Sequence, residues 1–166
     1  MTLLAQEVRA TQNPGLGAAI MWRFACGYAN EHPEHGFVPL PLNFLALPII
    51  FHRPLLDLID GTQRASGLRQ FVMKLGDTKA ARQDLLFAIQ DRAEKWKDVS
   101  LESLRVALAC RLVRLELDGR VMPLSQTEPS GVPAPAKRML KNGEKLGAWM
   151  SRLSLHEISN LLHVRF

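Results

Sequence analysis

Apolar positions along the 166 residues recur mostly at helical spacing. After Asn13, the run PGLGAAIMWRFACGYAN sets Leu16, Ile20, Phe24 and Tyr28 four apart, one stripe of a 3.6-residue period. Asn13 is a capping residue, and Pro14 suits the first helical position. Gly17, Ala18, Ala19, Ala25 and Gly27 keep the other faces small, and Arg23 is the one charge before Glu31. The pattern predicts a helix buried nearly all round. It should end at His32-Pro33, because proline disfavours helical geometry in the residue before it.

The stretch FVPLPLNFLALPIIF (37–51) is the most apolar. Pro39 and Pro41 predict an extended lead-in. Asn43 to His52 then reads as a short buried helix kinked at Pro48, or as an irregular core strand. The stretch is too short and too broken for a membrane span, which needs about 20 apolar residues. Leu55 to Ile59 resumes the apolar pattern briefly. Leu68, Phe71, Val72 and Leu75 mark a short amphipathic helix that stops at Gly76. Thr78 is expected to cap a helix from Lys79 to about Trp96, with Leu85, Leu86, Ile89, Ala93 and Trp96 on one stripe. Ser100 is expected to cap the next, LESLRVALACRLVRLEL. Asp118-Gly119 between short apolar runs predicts a hairpin with a two-residue loop.

Residues 125–135 (SQTEPSGVPAP) have three prolines and no apolar period, so they read as a linker. Ala136 to Leu153 is the last long helix. Ser154-x-x-Glu157 forms a capping box that opens a final helix through Leu162, and the closing HVRF reads as a small strand. The expected fold is mainly α: a compact helical domain with one short β-hairpin. A helix feeding straight into that hairpin suggests a winged-helix-like unit. The expected organisation is a core over 1–124, a linker over 125–135, and C-terminal helices over 136–166 that pack back on the core.

Composition adds a charge of +5 and little else. Its distribution is more useful. Residues 1–60 carry 3 basic and 5 acidic side chains, whereas 61–166 carry 18 and 11, or +7. In the last long helix Lys137, Lys141 and Lys145 repeat every four residues, with Arg138 beside them and Arg152 further on. These five are the candidates for nucleic-acid contact, since a positive stripe can track phosphates. The alternative is a solvated helix face. Gly143 and Gly147 lie in the same helix, where each glycine costs up to about 1 kcal/mol relative to alanine. With Trp149 they are the candidates for packing against a partner helix, although a core role for the tryptophan is favoured.

Catalytic motifs are missing: there is no Walker A loop, no G-x-S-x-G elbow and no H-E-x-x-H. Glu31-His32-Pro33-Glu34-His35 groups metal-capable side chains, but a solvated turn accounts for it better. His156 and His163 lie about 10 Å apart by helical rise, too far to share a metal. Cys26 and Cys110 fall in apolar helical patterns and read as small core residues. No catalytic residue, metal or cofactor is expected. The start MTLLAQEVRA lacks a basic region before its apolar residues, so no targeting signal is expected and the cytoplasm is the default location.

Five segments taken in order carry a resemblance: NPGLGAAIMWRFACGYAN, LNFLALPIIFHRP, ARQDLLFAIQDRA with SLESLRVALACRLVRL, LDGRVMP, and KRMLKNGEKLGAWMSRLSLHEISNLLHVRF. Together they resemble the middle components of prokaryotic three-component ABC systems, which are similar to Lamassu-type anti-phage defence. The resemblance implies a non-enzymatic accessory subunit. Its partners would be an ABC ATPase of the chromosome-maintenance type and an effector, often a nuclease. The subunit would couple DNA sensing to the effector, with any DNA contact of its own weak or indirect. A stand-alone winged-helix regulator is the alternative. It should carry exposed polar or basic residues at the start of its recognition helix, where Leu101-Glu102-Ser103-Leu104 stands instead.

Overall fold

A computed structural model describes the backbone of residues 13–77 and 79–166, and the side chains of these except 79–83. The start MTLLAQEVRA and the expected cap Thr78 lie outside the described residues. Among the described residues are eight α-helices and a small antiparallel sheet.

Helix α1 (Pro14–Glu31) begins as its sequence predicts, with the Asn13 side chain accepting from the Gly15 and Leu16 N–H groups. Every residue from Ile20 to Tyr28 is buried, so α1 is the axis of the core. Strand β1 (Val38–Pro39) leads into α2 (Leu40–Ile50), which decides between the two readings of that segment in favour of a helix. It starts earlier than expected because Pro41 fits the first turn, where no N–H is required. Pro48 sits inside α2, close to its end. Helix α3 (Arg53–Asp60) follows, bent 98° from α2. Among the described residues no single helix is long and apolar enough to cross a membrane. A 3₁₀ turn (Arg64–Ser66) then leads into α4 (Gly67–Gly76), and α5 (Lys79–Lys95) follows.

Helix α6 (Lys97–Ala109) corrects two expectations. It starts ahead of Ser100, which lies inside the helical ladder, donates its N–H to the Trp96 carbonyl, and is wholly buried. No glycine or proline separates Trp96 from Ser100, so nothing stops the helix from starting early. The helix also ends earlier than predicted. Arg111 takes a left-handed φ of 56°, and the Leu112 N–H reaches back to the Ala107 carbonyl. That is a Schellman closure with arginine where glycine is usual, so the sequence carries no stop signal. The same device closes α8: His163 has φ 54° and the Val164 N–H bonds the Ser159 carbonyl. The expected HVRF strand is therefore replaced by a helix cap and an irregular end.

The hairpin forms between β2 (Val113–Leu115) and β3 (Arg120–Pro123), but its loop is not the two-residue kind. Glu116 pairs with Arg120 and the Gly119 N–H bonds the Glu116 carbonyl. Leu117, Asp118 and Gly119 thus form a three-residue loop, with Gly119 at φ 79° as its bulge. Strand β1 adds a third member that periodicity missed, pairing Val38 with Val121 in the order β1-β3-β2. A hairpin following a helix is not enough to establish a winged-helix unit.

Helix α7 (Ala134–Met150) starts inside the stretch read as linker, because Pro135 fits its first turn. Helix α8 (Leu155–Leu162) opens with both hydrogen bonds of the Ser154–Glu157 capping box. Close approach between α1 and α7 depends on glycine. A Cβ on Gly147 would lie 2.1 Å from the Phe24 carbonyl oxygen, and one on Gly27 would lie 2.0 Å from that of Glu144. At the other end of α1, Gly17 admits Ser103 of α6.

Candidate functional site

Helix α7 carries most of the residues singled out from the sequence, and its neighbours divide them. Lys137 and Lys141 are exposed. Arg138 is held against α3 by Asp57 at 2.7 Å and Asp60 at 2.9 Å. Lys145 is only 8% exposed. Its ammonium donates to the carbonyls of Ile59 and Thr62, each at 3.0 Å, and lies 3.5 Å from that of Asp60. It thereby places a charged donor on carbonyls at the C-terminal end of α3 and in the turn that follows. Desolvation holds this lysine below the usual range, against the pull of Asp60. Asn142 completes the clamp by donating to Asp60 at 3.0 Å. Arg152, beyond the end of α7, donates to Glu31 at 2.8 Å. The five basic residues do not form one solvent-facing row.

Gly143 and Gly147 do pack against a helix, and that helix is α1 of the same chain. Trp149 is buried, tilts against Phe71 at 5.9 Å, and donates its indole N–H to the Arg64 carbonyl at 2.8 Å. Trp22 likewise donates to the Ser125 carbonyl at 2.7 Å. Asn30 reaches the Gln126 side chain, so the stretch after β3 is fastened to α1 at its start.

The Glu31–His35 cluster is used structurally. His32 stacks on Tyr28 at 5.4 Å, and its Nδ1 accepts from the N–H groups of Glu34 and Gly36. Among the described residues no group of three His, Cys, Asp or Glu side chains is placed to hold a metal ion. Cys26 is buried against the Ser125 carbonyl, and desolvation pushes its thiol up to about 11, away from the thiolate that nucleophilic chemistry needs. Cys110 corrects the expectation of a second core cysteine. Because α6 closes before it, its side chain faces solvent.

Two features lay outside the sequence reading. The first is a chain of charges running Arg152, Glu31, Arg64, Glu144, Arg23, which links α1, the 3₁₀ turn and α7. Its core end, Arg23 with Glu144, lies in the glycine-mediated contact. Arg64 and Arg152 instead border a cleft of about 400 Å³. The second is the apolar periphery. Leu117 at the hairpin tip is fully exposed, and Leu115 nearby is partly so, at 43%. An apolar residue between Glu116 and Asp118 in a turn was the available signal. A shallower groove of about 280 Å³ runs between α2 and α5, lined by Phe44, Ala93 and Phe166 among others.

A family model described as the ABC-three component (ABC-3C) system Middle Component 3 matches residues 1–166. The chain belongs to this family. It is thus a middle component of a three-component ABC system, a membership that implies partner subunits and is consistent with an accessory subunit. A search of curated proteins and a search of solved structures each find no match.

Proposed function

We propose that this middle component is a non-enzymatic adaptor. In this reading it binds the chromosome-maintenance-like ABC ATPase of its system and couples DNA sensing to an effector such as a nuclease. The setting would be cytoplasmic anti-phage defence in a prokaryote. The family match along the whole chain carries this reading, because a middle component of a three-component system implies partner subunits. The form of the molecule supports it. A tightly crossed α1–α7 pair gives a rigid base, while Leu115 and Leu117 stand exposed on the hairpin. Apolar side chains of that kind favour a protein partner.

The stand-alone regulator is less well supported. At the start of the would-be recognition segment, Leu101 and Glu102 are exposed while Ser103 and Leu104 are buried. Glu102, the polar side chain exposed there, is acidic, and the neighbouring Arg105 is paired with it at 3.6 Å. Direct DNA contact by this chain would fall to Lys137 and Lys141, since Lys145 is enclosed.

Co-expression of the full chain with the ATPase subunit of its system, followed by size exclusion, tests the adaptor reading. Co-elution is expected. A chain that stays alone with and without DNA overturns it. For DNA, Lys137→Glu with Lys141→Glu should lower affinity for a duplex and reduce the salt slope. An unchanged slope removes those lysines from consideration.

A further inference from the structure

We propose that the cleft between α1, the 3₁₀ turn and the end of α7 receives an acidic side chain from a partner protein. The existence of a partner rests on the adaptor reading; the chemistry of the cleft does not. Glu31, Arg64, Ala65, Gly67, Ala148, Trp149 and Arg152 line about 400 Å³. That volume accepts a side chain with its flanking backbone.

Two guanidiniums share one carboxylate there. Arg152 donates to Glu31 from one nitrogen at 2.8 Å and is 68% exposed. Arg64 lies 3.4 Å from Glu31 and 3.5 Å from Glu144, both longer than a well-made hydrogen bond. It is therefore loosely held between two acids, with donors to offer. Glu144 is already paired with buried Arg23. Within the cleft, two positive charges face one negative charge. The surplus of one matches a single carboxylate, which guanidinium binds through paired, planar N–H donors. Glu31 occupies the position that an incoming acid would take, so it is a competitor.

The surroundings favour an isolated acid over a nucleic-acid backbone. Going back along α7 from Arg152, Lys145 is enclosed and Arg138 is paired, and the nearest exposed cation on that helix is Lys141. Eleven residues separate it from Arg152, about 16 Å of helical rise. The cleft is concave, and Trp149 and Ala148 supply apolar surface for the methylenes of a glutamate.

The test uses the full chain and NMR of its arginine Nε–H and tryptophan indole N–H signals. The probes are acetyl-Gly-Glu-Gly-amide, its Gln counterpart, and a short DNA duplex. The Glu peptide should shift Arg64, Arg152 and Trp149, and the Gln peptide should not. Arg152→Gln should weaken binding about tenfold, the scale of one hydrogen bond to a charged group. Glu31→Gln should tighten it by removing the competitor. Silence toward the Glu peptide, equal response to the Gln peptide, or weaker binding by Glu31→Gln would each overturn the proposal. If duplex shifts these signals and the Glu peptide does not, the cleft is a phosphodiester site and the proposal is wrong. A chain that takes the Glu peptide yet never co-elutes with the ATPase refutes the adaptor reading and keeps the cleft. Co-elution with the peptide silent does the reverse.

Discussion

The α1–α7 crossing and the β2–β3 hairpin are built on opposite terms. At the crossing, Gly27 and Gly147 bring two backbones into contact, and an ion pair inside it, Arg23 with Glu144, links the same two helices. At the hairpin, charges pair locally: Arg114 with Glu116 and Arg120 with Asp118, while Leu117 touches nothing that hides it from water. One region is closed to any change of volume. The other has room for a partner. The contrast separates residues that build the subunit from those available for assembly, and α7 shows that charge alone does not make the distinction. Its Lys141 and Lys145 are one turn apart, one in solvent and one serving as the cap of α3.

The strongest way to break the contrast is to add a methyl group at the crossing. Gly147→Ala places a carbon against the Phe24 carbonyl and should cost about 3 kcal/mol despite better helix propensity. Urea denaturation reads it. A loss under about 0.5 kcal/mol would mean the crossing is looser than described. Next, Lys145→Ala should cost roughly 1–3 kcal/mol by stranding the Thr62 carbonyl and removing a charged donor from that of Ile59. Lys141→Ala should stay within about 0.5 kcal/mol. Equal effects would erase the distinction between the two lysines.

Acid should act on the same clamp. The Asn142 amide, and then the Arg138 guanidinium, hold the Asp60 carboxyl below its usual range. A depressed folded pKa means that the carboxylate stabilises the fold above the ordinary aspartate value, about 3.9. This contribution is lost as pH falls through the lower folded value. Urea midpoints measured from neutral pH down should therefore decline less steeply in Asp60→Asn than in wild type. Identical slopes would remove Asp60 from the clamp. The smallest stability effect belongs to the hairpin: Leu117→Ser should stay within about 0.5 kcal/mol while weakening co-elution with the ATPase. A matched drop in stability would place Leu117 in the folded core.

Local chemistry accounts for what the sequence made legible. Asn13, Pro14 and the Ser154–Glu157 box act within one turn, so α1 and α8 could be placed from them. The glycines of α7 signalled a close helix, though not that the helix was α1. The stops at Arg111 and His163 were hidden because each residue adopts a conformation usually marked by glycine. The two-residue strand β1 depends on pairing with Val121, more than eighty residues away. Helical spacing correctly set Lys137, Lys141 and Lys145 near one face, but burial of the third is decided by α3 and the turn after it. The cleft was out of reach for the same reason, since Glu31, Arg64 and Arg152 meet only in the fold.

Hydrogen exchange on the full chain, alone and co-purified with its ABC ATPase, tests the adaptor account most directly. The account expects a complex in which amides over 113–124 and 64–67 gain protection while α1 and the glycine-bearing part of α7 stay unchanged. Failure to form a complex, or protection confined to the turn bearing Lys137 and Lys141, would contradict it.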